Sequence, residues 1–135
     1  MARFTSIVLT CALAACGSSS SSSSDAAGTK TDAPASMTVT TVSCTGITPA
    51  ATVTINSNGN GYNPPTTTIN QGQVVLFTTA SDHDVTPGHQ PADSAIADPG
   101  IHVDFNMTGC RMFTETGSYG FHCSIHGFNG TITVQ

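Results

Sequence analysis

Charge is scarce in this sequence. Only 8% of its 135 residues are charged, and only Arg3, Lys30 and Arg111 carry a positive charge. They face eight acids, so the formal net charge is −5. A chain so poor in cations lacks the basic patch that nucleic-acid binding requires. Long apolar runs are missing too. The run from Ile7 to Ala15 is too short to serve as a permanent membrane span. No stretch repeats with a helical period. Thr, Ser, Gly, Val and Asn are abundant instead, which is the composition of β-strands joined by turns. The length fits one domain rather than two.

Residues 1–15 read as a leader. Arg3 gives a positive start, an apolar run follows, and Leu13-Ala14-Ala15-Cys16-Gly17 closes it. The closing segment resembles the bacterial lipobox, which implies lipid on Cys16 and a place in the bacterial cell envelope. The domain would then face the periplasm, and Gly17 after the Cys favours the outer membrane. An ordinary signal peptide is the alternative. Residues 16–36 read as a tether. Seven consecutive Ser, then Asp, Ala, Gly, Thr and Pro, cannot bury a core. As a flexible coil, roughly 20 such residues span about 25 Å. Without the leader only Lys30 and Arg111 remain as cations, and the protein is more acidic still.

Residues 37–135 form the domain. Met37 to Val42 is a first strand or an extended lead-in, and Ala51 to Ile55 alternates as a strand. Asn58-Gly59-Asn60-Gly61 is a loop, and Pro64-Pro65 precedes an edge-type strand over Thr66 to Ile69. Gln73 to Thr79, apolar at its centre, belongs in the middle of a sheet. Pro87 to Gly100 reads as a long surface excursion. Ile101, Val103 and Phe105 alternate with His102 and Asp104. Cys110 to Thr114 is a further strand. Tyr119, Phe121 and Cys123 alternate before a short loop, and Thr131 to Val134 alternates after it. Seven or eight short strands at this spacing predict a Greek-key β-sandwich. Its predicted core is Val53, Ile55, Val75, Phe77, Phe113, Tyr119, Phe121 and Ile132.

The chemistry gathers near the end of the chain. Alternation puts Cys123 on the buried face with Tyr119 and Phe121 and turns His122 away. Cys123 and His126 then share one short loop at a Cys-x-x-His spacing. A thiolate with an imidazole is half of a metal site, and the pair suits copper or zinc better than magnesium or calcium. The best source of a partner is Ser81-Asp82-His83-Asp84-Val85, at the end of a strand. A free Cys is otherwise often just a small buried hydrophobe. His89, His102 and His122 are poorer candidates: His102 should be exposed, and His89 sits in the long loop. Met107 and Met112 read as core or turn residues. Of the five cysteines, Cys11 and Cys16 lie in the leader and Cys123 is the candidate ligand. Cys44 and Cys110 remain, and an even remainder in an exported chain predicts a disulfide.

Gly117 to His126, followed by Gly130 to Val134, resembles the C-terminal ligand loop of the cupredoxins, the small blue copper proteins. The resemblance runs from about Ala51 to Gln135, and the loop length is most similar to the amicyanin and plastocyanin-like branch. It implies a type 1 copper ion held by His83, Cys123 and His126, and a single-electron carrier rather than an enzyme. Implied partners are redox proteins, such as a cytochrome or another copper protein, met by a monomer. His126 should lie near the surface among Ile125, Gly127 and Phe128. Zinc is the nearest rival metal. Copper storage or homeostasis, or a metal-free β-sandwich interaction module, are the alternative functions. Two positions depart from the family pattern. Asp84 stands where an Asn commonly ties the ligand loops together. Asn129 stands where Met is the axial ligand; its amide is a distant axial ligand, a donor behind the ligands, or only part of a turn.

Overall fold

The computed structural model describes residues 37–55 and 58–135. The leader over 1–15, Cys16 and the tether over 16–36 lie outside the described residues. Among the described residues eight strands form: β1 (Val39–Val42), β2 (Ala51–Thr54), β3 (Thr66–Ile69), β4 (Val74–Thr78), β5 (Thr86–Pro87), β6 (Thr108–Phe113), β7 (Gly117–His122) and β8 (Asn129–Val134). They make two four-stranded sheets, ordered β1-β6-β4-β2 and β3-β8-β7-β5. Both sheets are mixed. β2 runs parallel to β4, and β3 runs parallel to β8. Parallel neighbours need a crossover, which this chain makes by placing β3 in the second sheet between β2 and β4. Among the described residues no helix is long and apolar enough to cross a membrane.

Alternation decides which side chains fill the space between the sheets. Val75 and Phe77 on β4, Val53 on β2, Phe113 on β6, Tyr119 and Phe121 on β7 and Ile132 on β8 are each at most 1% exposed. With Ile55 they are the core expected from the sequence. Burying one such side chain contributes about 1.5–3 kcal/mol. Phe77 meets Phe121 edge to face at 5.5 Å, and Phe113 meets Tyr119 at 5.1 Å. Gly130 faces the Phe121 ring so closely that a side chain there would collide with it. The ligand strand and the last strand thus pack through an aromatic ring over a bare backbone.

Residues 87–105 are bonded in ways the sequence does not announce. Thr86 and Pro87 pair with His122 and Phe121, and Ile96 bridges to Tyr119. The excursion lies on the surface, as expected, and covers the free edge of β7. The alternation of Ile101, Val103 and Phe105 does not make a strand. Pro99–Ile101 is a 3-10 turn, Val103 forms a single bridge to Val85, and Phe105 is exposed. Asp98 caps that turn by accepting from Gly100 N at 2.8 Å, and Pro99 follows with its φ preset. The other Asp98 oxygen accepts from Thr38 N at 2.6 Å, Thr38 Oγ1 at 2.9 Å and Val39 N at 3.1 Å. One buried carboxylate thus holds the start of β1 to the excursion.

Cys44 and Cys110 are bonded, with their Cα atoms 5.5 Å apart. The disulfide joins the segment after β1 to the middle of β6. Cys123 is the one free cysteine among the described residues, and it is buried.

Candidate metal centre

β7 delivers Cys123. The strand carries Tyr119 and Phe121 into the core, and Cys123, two residues on, follows them to 0% exposure. The chain then turns tightly: Gly127 N donates to Cys123 O at 2.8 Å, and Cys123 N donates to Phe128 O at 3.1 Å. Gly127 adopts a positive φ of 70°, which a side chain would strain. This turn swings His126 back over Cys123. His83 enters from the loop after β4 and is 1% exposed.

Cys123 Sγ lies 3.6 Å from His83 Nδ1 and 3.6 Å from His126 Nδ1. All three ligand atoms fall within 4.8 Å of one another. An ion about 2.3 Å from a thiolate and about 2.0 Å from an imidazole, at angles of about 110–120°, puts sulfur and nitrogen about 3.6 Å apart. The three residues therefore fit a trigonal or tetrahedral metal ion. Their distances alone do not separate copper from zinc. His83 and Cys123 are buried, while His126 is exposed. His83 Nε2 has no hydrogen-bond partner, and Asp82 Oδ1 stands 3.6 Å from it. At that distance the two are not hydrogen-bonded, and Asp82 Oδ1 is likewise without a partner.

Asp84 ties the ligand loops together, the role expected of an Asn. Its Oδ1 accepts from Ser124 N at 2.7 Å, and its Oδ2 accepts from Thr86 Oγ1 at 2.9 Å. Burial pushes its pKa up, but these donors, led by the Ser124 N–H, hold it below the ordinary carboxylate range. It therefore stays ionised beside the thiol. Tyr62, which the sequence did not single out, supports the same loop by donating to Asp84 O at 2.7 Å. Burial, then the Cys123 and Asp84 charges, keep its hydroxyl protonated. Tyr62 also packs on Phe121 and Phe128, and Phe128 touches both His83 and His126. An aromatic wall thus lines the buried side of the cluster, visible in the sequence only as scattered rings.

His89, His102 and His122 are not part of this cluster. Asn129 is exposed, and its amide bonds the backbone of Gln90: Oδ1 accepts from Gln90 N at 2.8 Å, and Nδ2 donates to Gln90 O at 3.0 Å. His102 is exposed, as expected. His122 is buried and turns its ring to Gly88 O, at 2.7 Å. Met107 is 53% exposed.

His89 is not free in its loop. Its ring covers Gly120, with Nδ1 donating to Asp93 Oδ2 at 2.7 Å and Nε2 donating to Gly130 O at 2.9 Å. Only the doubly protonated ring donates from both nitrogens. The bond to Asp93 raises the His89 pKa above 6.5, partly opposed by burial. A raised folded-state pKa gives stability that is complete below the unfolded value of 6.5 and lost as pH rises through the folded value. Urea titrations from pH 6 upward should therefore show declining stability. Asp93→Asn should flatten that decline; an unchanged slope would assign it to another group.

No protein-family model matches the sequence, and no curated protein matches it. Solved structures do. The reduced form of an amicyanin variant matches with a TM-score of 0.51 at 21% identity, covering 73% of this chain and 99% of that one. A reduced Cu(I) amicyanin variant at pH 4 gives 0.51 at 19% identity, with the same coverages. An oxidised amicyanin variant gives 0.50 at 20% identity, over 71% of this chain and 92% of that one. The likeness establishes a cupredoxin-like β-sandwich.

Proposed function

We propose that this protein is a single-electron carrier that holds one copper ion between His83, Cys123 and His126. The observation that carries the reading is the buried Cys123 thiol, with the Nδ1 atoms of both imidazoles 3.6 Å from its sulfur. One soft sulfur and two nitrogens serve both copper oxidation states tolerably, so little needs to move when an electron passes. When bound, copper would supply the one-electron chemistry, cycling between Cu(I) and Cu(II). The protein supplies the rest. Tyr62, Phe121 and Phe128 keep water out, and Asp84 holds the two ligand loops at a fixed distance. Its negative charge beside the site favours Cu(II) over Cu(I) and so lowers the reduction potential.

His126 is the exposed ligand, and Ile125 beside it is 62% exposed. An apolar rim around an exposed ligand edge suits a small, short-lived contact with a redox partner. The amicyanin structures of similar fold include reduced, Cu(I) and oxidised forms. Neither an enzymatic role nor a nucleic-acid partner is part of this proposal. The test is an optical and EPR spectrum of the copper-loaded protein, followed by voltammetry. An intense thiolate-to-Cu(II) band with reversible one-electron chemistry is expected. Copper uptake without reversible electron exchange would favour storage, and no copper uptake would leave an interaction module or a zinc site.

The cell-envelope placement is part of the same proposal. Leu13-Ala14-Ala15-Cys16 supports lipid on Cys16, with residues 16–36 as the tether. Cys16→Ser should move the protein from the membrane fraction to the soluble fraction of the periplasm. A wild-type protein already soluble there would refute the anchor.

A further inference from the structure

The two strands that flank the metal loop are both bonded to a single short segment, residues 88–90. Gly88 N donates to Gly120 O at 2.8 Å, and His122 Nδ1 donates to Gly88 O at 2.7 Å. His89 Nε2 donates to Gly130 O at 2.9 Å. Gln90 then exchanges two hydrogen bonds with the Asn129 amide, one in each direction, at 2.8 and 3.0 Å. Every residue of the segment is thus tied to the β7–β8 hairpin, whose loop carries Cys123 and His126.

Both polar atoms of Asn129 are used in this pair. The cluster of His, Cys, Asp and Glu atoms holds three residues and no more among those described. Met37 and Met107 are 60% and 53% exposed, and Met112 lies on β6, opposite Thr40 and Val74 in the other sheet. Among the described residues the loop between β7 and β8 carries no Met.

We propose that Asn129 is a positioning residue instead of a ligand, and that among the described residues the metal is offered the side chains of His83, Cys123 and His126. The proposal rests on the copper reading above. An axial ligand would pin the metal loop through the metal itself. Here the pinning comes from outside, through the amide pair with Gln90, and is present with or without metal. The loop is thus held ready to receive the ion, and the ligand field is set by two nitrogens and one sulfur.

The experiment uses Asn129→Ala and Asn129→Asp with and without copper. Asp keeps an oxygen that accepts from Gln90 N; Ala does not. In the metal-free protein, amide exchange at Gln90 should accelerate at least tenfold in Asn129→Ala and much less in Asn129→Asp. In the copper-loaded protein, the charge-transfer maximum and copper hyperfine splitting of both variants should stay at their wild-type values. Copper loss to a chelator should quicken several-fold in Asn129→Ala and be largely restored in Asn129→Asp. If the amide were a ligand, the carboxylate would bind the metal harder and Ala would vacate the position, so the two spectra would shift in opposite senses. Such shifts, or unchanged Gln90 exchange in Asn129→Ala, overturn the proposal. Failure of the copper reading looks different: the wild-type protein would show no thiolate–copper band, while the Gln90 exchange result would still decide the role of Asn129.

Discussion

Alanine at Cys123, His83 or His126 is expected to abolish the thiolate–copper band in each case while leaving the sandwich folded. Cys123 supplies the only sulfur of the cluster, so its loss removes the charge-transfer chemistry outright. Loss of either imidazole leaves two ligands, too few to hold copper in a trigonal site. The fold does not depend on these residues in the same way. Its core is Val53, Val75, Phe77, Phe113, Tyr119, Phe121 and Ile132, none of which touches the proposed ion as a ligand. A domain of this size has roughly 5–15 kcal/mol of stability. His126 is exposed, and truncating it should cost within about 0.5 kcal/mol. His83 is 1% exposed, so its alanine variant leaves a cavity and should cost roughly 1–3 kcal/mol. The three metal-free variants should therefore give cooperative urea transitions. If all three are unfolded, the metal holds the fold together, as a structural zinc would.

The parts legible in the sequence are those with a local period or a local spacing. Period-2 alternation places Val75, Phe77, Tyr119 and Phe121 inside, and it also aims Cys123 at the core. A three-residue spacing puts His126 on the same loop. Counting cysteines leaves Cys44 and Cys110, and the structure bonds them. His83 is harder, since only the end of an apolar strand marks its place, and the resemblance to the cupredoxins singles it out. Residues 87–100 are legible as a surface excursion, but the bonds that order 87–105 are not, because they come from distant partners. Asp98 meets Thr38 and Val39, some 60 residues away, and no local pattern announces that. Asp98-Pro99-Gly100 does carry a turn signature, an Asp cap followed by Pro, which the alternation of Ile101, Val103 and Phe105 obscured. The Asn129–Gln90 pair is similar: its partners lie 39 residues apart, and Asn-Gly reads equally well as a turn.

Replacing both Cys44 and Cys110 by Ala should destabilise the domain by about 4 kcal/mol without altering the metal centre. The bridge closes a loop with a sequence separation of 66. In the chain-entropy model a loop of that size removes about 4 kcal/mol of freedom from the unfolded state. For a domain of about 100 residues this corresponds to a fall in Tm of roughly 15–30 °C. The double variant is the proper comparison, because a single one leaves a thiol free to pair with Cys123. Alanine suits Cys110, which is 2% exposed, better than a hydroxyl that would lack a partner. The loss should be felt first at β1. That strand lies at the edge of its sheet and pairs only with β6, over four residues. Without the cross-link it keeps that pairing and the Asp98 hydrogen bonds. Hydrogen exchange should therefore show β1 opening before β4 and β7, while the thiolate–copper band stays where it was. A fall of less than about 1 kcal/mol would mean that the pairing with β6 and the Asp98 carboxylate hold β1 unaided, and that the unfolded chain gains little freedom when the bridge is cut.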